Sequence, residues 1–228
     1  MSKLNENKMR NEIMMLALDM INNAKSGHPG IVLSSGTIMY TLFANHLNYD
    51  LDRPDYCNRD RFILSAGHGS ALLYSTLFAC TNTFDIDDLK RFRKLNSPCP
   101  GHPEYDISHR IEATTGPLGQ GVANAVGMAM AEKYLEARFN SKKNTLFDYK
   151  VYCLCGEGDL MEGISYEACS LAGTLELNNL ILIYDANRVT LDGSIDNTFN
   201  ESVIERFEAM NFEVFEVKNG ESIKELNK

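Results

Sequence analysis

The 228-residue sequence is short of basic charge: 22 Lys and Arg stand against 31 Asp and Glu, a net charge of −9. No run of Lys or Arg offsets that balance, which argues against a nucleic-acid surface. An acidic chain that binds phosphate needs helix N-termini or a divalent cation to do so. Long apolar runs are missing too, and no stretch approaches membrane-spanning length. The apolar IMMLAL stretch that follows the first lysines is interrupted by Asp19, with no cleavage-like site after it. Six cysteines, at 57, 80, 99, 153, 155 and 169, show no C-x-x-C spacing. Zinc is therefore not expected; buried free thiols in a reducing cytoplasm are. Low-complexity tracts and internal repeats are lacking, and neither G-x-G-x-x-G nor G-x-x-x-x-G-K-[ST] occurs, so the familiar nucleotide cradles are excluded.

What is there is a normal core composition, 44% apolar, enough for one α/β domain over residues 1–228. Met9, Ile13, Leu16, Met20 and Ala24 recur at helical spacing and stop at Lys25-Ser26-Gly27. Further on, helices are expected over 32–46, 71–79 and 122–139, with a short strand over 62–65 and a polar loop over 81–115. From residue 151 the pattern alternates: strand 151–155, helix 164–174, strand 180–184, helix 201–210, strand 213–217. These strands are too continuously apolar for a one-faced sheet. They predict a mostly parallel sheet with helices on both faces. The closing ESIKELNK reads as the start of another helix, so the chain is expected to be truncated at its C-terminus.

Three of the five histidines follow a glycine in matching company: Gly27-His28-Pro29-Gly30, Gly67-His68-Gly69 and Gly101-His102-Pro103. Their glycine and proline neighbours place them on loops, where function concentrates, and they are expected to converge on one site. His46, in a helical pattern, and His109, in a charged loop, are read as ordinary.

CGEGDLMEG, residues 155–163, follows an apolar strand and admits three readings: a tight turn, an anion cradle or a metal site. The next strand ends in Tyr184-Asp185-Ala186-Asn187. If the two strands are neighbours, Glu157 and Asn187 emerge together at their carboxyl ends, where open α/β sheets bind ligands. A carboxylate, an amide oxygen and a main-chain carbonyl near Val189 are hard donors suited to Mg²⁺ or Ca²⁺ with diphosphate.

SGHPG (26–30), SAGHGS (65–70), CPGHPE (99–104), TTGPLGQG (114–121), GEGDLMEGISYEACSLAG (156–173) and YDANRVTLDG (184–193) occur in order along essentially the whole chain. Together they resemble the N-terminal, diphosphate-binding domain of the thiamine-diphosphate-dependent transketolase family. The resemblance implies metal ligation by Glu157, Asn187 and the Val189 carbonyl. It also implies cofactor contacts from Gly116, Pro117, Leu118, Gly158 and His68, with Asn187 close to the cofactor. His28 and His102 would line the sugar channel and assist proton transfer. Glu162 matches an acid that links the active sites of paired subunits. The implied reaction moves a two-carbon ketol unit from a ketose phosphate to an aldose phosphate, within pentose phosphate metabolism.

Two departures qualify the resemblance. The family normally carries Asp where Glu157 stands, a side chain shorter by roughly 1.5 Å; metal binding is expected to survive, more weakly. Complete members also add a pyrimidine-binding domain and a C-terminal domain, so activity is expected to need a partner chain carrying the missing domain, and the assembly is expected to be a homodimer or a complex with such a chain. A non-catalytic cofactor-binding or assembly module is the alternative, and a related carboligase or synthase is a third.

Overall fold

A computed structural model describes residues 3–190 and 193–228. Along the chain run α1 (Lys3–Ala24), α2 (Pro29–Thr41), a π-helical turn (Leu42–His46), β1 (Arg61–Leu64), α3 (Ser70–Thr81) and α4 (Ile86–Lys90). They are followed by α5 (Gln120–Phe139), β2 (Val151–Gly156), α6 (Glu157–Met161), α7 (Gly163–Thr174) and β3 (Leu180–Asp185). The last elements are β4 (Val189–Thr190), β5 (Gly193–Ser194), α8 (Val203–Ala209) and α9 (Ile223–Leu226). Among the described residues no helix is long and apolar enough to cross a membrane.

The chain forms two compact units, one of Met1–Asp55, Gly67–Thr114 and Val217–Lys228, the other of Tyr56–Ala66 and Thr115–Glu216. In the first, α1 packs on α2 and α3. The apolar stripe of α1 turns Ile13, Ala17 and Met20 inward, against a core that includes Val32, Met39, Leu72 and Leu77. Helix α3 is buried from Ser70 through Leu77, and its buried hydroxyls stay satisfied. Thr76 Oγ1 donates to the Leu72 carbonyl at 2.7 Å, and Thr81 Oγ1 to the Leu77 carbonyl at 2.6 Å. The polar stretch after α3 is partly ordered: Asp85 caps α4 by accepting from the N–H groups of Asp87 and Asp88.

In the second unit β1, β2 and β3 form a parallel sheet in that order. Central β2 is buried along almost its whole length, while β3, which pairs on one side, is half-buried. Edge position alone does not set that contrast, since β1 also pairs on one side and is buried over 62–64. Helix α5 lies against all three strands, and α7 packs on α5.

One expected strand does not form. Residues 213–217 carry Val214, Phe215 and Val217, yet among the described residues no strand pairs with them, and Phe215 is 78% exposed. A β-prone segment makes a strand only where a neighbouring ladder takes up its hydrogen bonds. The helix expected over 32–46 is likewise corrected, to α2 followed by the π-helical turn.

Candidate functional site

The register of β2 and β3 sets Gly156 opposite Asp185, so the turns after the two strands leave the sheet side by side. Glu157 opens α6 and is only 2% exposed. Its Oε1 accepts from the Arg188 N–H at 2.5 Å, and the Tyr184 hydroxyl also donates to the carboxylate. Burial raises the Glu157 carboxyl above its ordinary range, and the Arg188 N–H opposes that shift. No Lys or Arg pairs with Glu157 among the described residues. Arg188 itself has φ 60°, the left-handed region that side chains other than glycine rarely adopt.

Asn187 sits in the same turn, its Oδ1 accepting from the Val189 N–H at 2.9 Å and its Nδ2 donating to Asp185 Oδ2 at 3.4 Å. The Val189 side chain is exposed at the start of β4. Leu191 and Asp192 of the YDANRVTLDG stretch lie outside the described residues. Among the described residues no group of three or more His, Cys, Asp or Glu side chains is arranged to hold a metal. A cation here could draw on amide and main-chain oxygens such as Asn187 and Val189 offer, beside the Glu157 carboxylate and that of nearby Asp185.

The Gly116-Pro117-Leu118 loop belongs to the same unit. Gly116 has φ 147°, and Gly119 has φ 77°. A Cβ on Gly119 would lie 2.8 Å from Glu162 Cβ and from Ser165 Oγ, so this turn is packed hard against the start of α7. A Cβ on Gly158 would meet Leu118 Cδ1 at 2.8 Å, which brings Leu118 onto the Gly-acid-Gly turn. Glu162 is exposed and extended between α6 and α7.

The three glycine-flanked histidines come together within the other unit. The His28 ring lies 5.2 Å from that of His68 and 6.5 Å from that of His102. His28 precedes Pro29 at the start of α2, and His68 sits in a 3-10 turn over Gly67–Gly69. The His102 loop is fastened from several sides: Ser70 Oγ donates to the Gly101 carbonyl at 2.8 Å and the Tyr74 hydroxyl to the Pro100 carbonyl at 3.0 Å. Arg93 reaches both outer loops, donating to Ser26 Oγ at 2.9 Å and to the Gly101 carbonyl at 3.5 Å. Burial lowers the pKa of His28 and His102, and the Arg93 cation lowers both further. His28 Nδ1 is buried without a hydrogen-bond partner, an atom that a ligand could satisfy.

His46 and His109 are occupied locally. His46 Nε2 contacts Asn227 Oδ1 at 2.9 Å, while His109 Nδ1 contacts Asp106 Oδ2 at 2.6 Å and its ring stacks on Phe84. The cysteines are free thiols, and burial raises those of Cys80 and Cys169 to about 11 and of Cys99 to about 12, away from reactivity. Sequence reasoning missed Arg93, Tyr184, Ser65 and Asp159. Of these only Asp159 carried a signal, an acid at the third position of a helix start.

Residues 5–228 match the family model described as "Transketolase, thiamine diphosphate binding domain". Among curated proteins, the transketolase of Bacillus subtilis is 50% identical over 221 residues, covering 97% of this chain and 33% of the relative. The Aquifex aeolicus transketolase is 50% identical over 210 residues, 92% of this chain and 30% of its own length. Among solved structures, Campylobacter jejuni transketolase aligns with a TM-score of 0.91 at 48% identity, covering 100% of this chain and 35% of that one. A Pichia stipitis transketolase in complex with sedoheptulose-7-phosphate aligns at 0.93 and 40% identity, over 97% of this chain and 33% of the other. The chain thus spans about a third of the length of the relatives it matches.

Proposed function

We propose this chain's function from the premise that it belongs to the transketolase family, as its thiamine diphosphate-binding domain. Residues 1–228 are read as one diphosphate-binding domain serving the transfer of a two-carbon ketol unit from a ketose phosphate to an aldose phosphate. The observation that carries the reading is the parallel register of β2 and β3, which brings Glu157 within 2.5 Å of the Arg188 N–H in the turn after the neighbouring strand. The sugar-phosphate class is supported by the Pichia relative, whose complex holds sedoheptulose-7-phosphate.

The residues present fit a hard cation. Glu157 is a buried carboxylate without a cationic partner among the described residues, flanked by an amide oxygen in the same turn. Glu157, Asn187 and the Val189 carbonyl are assigned to Mg²⁺, or to Ca²⁺, and the metal would neutralise the diphosphate that this acidic chain otherwise repels. Gly158 and Gly116-Pro117-Leu118 are assigned to the cofactor, glycine permitting the backbone to approach it closely. His68 is assigned to the cofactor as well, and Glu162 to the contact between paired subunits. When bound, thiamine diphosphate supplies the electron sink for carbon–carbon cleavage.

His28 and His102 are assigned to the sugar. Their lowered pKa keeps both imidazoles neutral near pH 7, so each ring offers one N–H donor and one acceptor to hydroxyl groups and can pass a proton. The setting is read as cytoplasmic, and the active assembly as a homodimer or a complex with a chain carrying the pyrimidine-binding domain. A second reading, cofactor binding or assembly without turnover, is favoured by one feature: Glu157 stands where the family normally carries the shorter Asp.

Calorimetric titration of thiamine diphosphate, with and without Mg²⁺, tests the assignment. Wild type is expected to bind in a metal-dependent manner. Glu157→Gln is expected to weaken binding at least about tenfold, about 1.4 kcal/mol, and Glu157→Asp to tighten the metal. Metal-independent binding, or identical weak binding in wild type and Glu157→Asp, would contradict it. Assaying ketol transfer with and without the pyrimidine-binding chain separates the two readings.

A further inference from the structure

Asp159 is a buried carboxylate, 1% exposed, that joins three segments distant in sequence. Its Oδ1 accepts from Ser65 Oγ at 2.6 Å and from the Gly119 N–H at 2.9 Å, and its Oδ2 accepts from the Gly156 N–H at 3.0 Å. Ser65 Oγ in turn accepts from the Val122 N–H at 3.1 Å, so the network takes up two N–H groups at the start of α5. Asp159 also holds its own surroundings, its main-chain carbonyl accepting from Ser165 Oγ at 2.5 Å. The carboxylate is met by N–H and O–H dipoles converging on it, among them the Gly119 N–H at the N-cap of a 20-residue helix.

We propose that Asp159 is a positioning residue that fastens the Gly116–Gly119 turn to the carboxyl end of β2 and so presets the cradle for the diphosphate. The proposal rests on the cofactor reading given above. Two of the segments it joins are those to which cofactor and metal contacts were assigned: the Gly116-Pro117-Leu118 loop, which ends at Gly119, and Gly156, whose next residue is Glu157. The third, Ser65, immediately follows β1. Gly119 adopts φ 77° in a position where a Cβ would strike Glu162 and Ser165, so the loop has little freedom once its N–H is held. Gly121 closes the other side, since a Cβ there would lie 2.5 Å from Ser65 Cα. Loss of the carboxylate would release the Gly119 N–H and the Gly156 N–H together, and the cofactor would then have to order both segments on binding.

The test uses the full chain with Asp159→Asn, Asp159→Ala and Ser65→Ala. Asparagine keeps the shape but turns one acceptor into an NH₂ donor, so one of the three hydrogen bonds becomes a donor facing a donor. In spectra without ligand, the Gly119 and Gly156 amide protons are expected downfield in wild type, with at least one moving upfield in Asp159→Asn. Calorimetry with thiamine diphosphate and Mg²⁺ is expected to show binding weakened about 10- to 100-fold in the Asp159 variants, the range typical of supporting residues around a metal. Ser65→Ala is expected to be intermediate. Should Asp159→Ala not fold, the other two variants carry the test. Lower thermal stability with wild-type affinity would make Asp159 a purely structural cap and overturn the proposal. A wild-type chain that binds no thiamine diphosphate overturns the cofactor reading and this proposal together, whereas wild-type binding matched by the Asp159 variants overturns this proposal alone.

Discussion

At the scale of single residues, the five histidines separate by what surrounds their rings. His46 and His109 spend a ring nitrogen on Asn227 and Asp106, while His28 keeps a buried nitrogen without a partner and lies among His68, His102 and Arg93. Nuclear magnetic resonance titration is expected to place the midpoints of His28 and His102 below the ordinary imidazole value of about 6.5. In Arg93→Ala both are expected to move upward, because the removed cation lowers both; unmoved midpoints would contradict that cause. The folded chain resists protonation at these rings, whereas the unfolded chain accepts a proton near the ordinary value. Their contribution is therefore complete above the unfolded pKa and is lost as pH falls through it toward the folded one.

At the scale of elements, close approach of backbone decides what can be changed. A Cβ on Gly173 of α7 would lie 1.6 Å from the main-chain oxygen of Met210, just past α8, and a carbonyl cannot swing aside as a flexible side chain does. Gly173→Ala is expected to cost about 1–3 kcal/mol, read from denaturant unfolding; an unchanged midpoint would contradict this packing. The strands β2 and β3 were legible because each is an unbroken apolar run bounded by turn residues; their adjacency was a condition of the site reading that the parallel register meets. The two-residue strands β4 and β5 carry no such pattern. Residues 213–217 misled because β-prone residues record a capacity to pair and say nothing of whether a partner is present. In the candidate site, Glu157 and three of the histidines were picked out by their glycine and proline neighbours, and Asn187 by its place at the end of the next strand. Asp159, Ser65 and Arg93 were not, because they act through hydrogen bonds across 94, 57 and 67 positions of sequence.

At the scale of the whole molecule, the second unit leaves apolar side chains in water. Ile164, Leu171 and Leu175 are exposed along or just beyond α7, and Met130 and Tyr134 on α5. Such a surface is expected to associate. Sedimentation at micromolar concentration should give a dimer or larger species, and a clean monomer would count against the paired assembly.

The most direct test of the central claim is a crystal of the chain soaked with thiamine diphosphate and Mn²⁺, with the cation located by its anomalous scattering. The account expects the ion at coordination distance, about 2.0–2.2 Å, from the Glu157 carboxylate, Asn187 Oδ1 and the Val189 carbonyl, with the diphosphate on its far side. A cation bound elsewhere, or a diphosphate that leaves the Glu157 and Asn187 turns untouched, would contradict it.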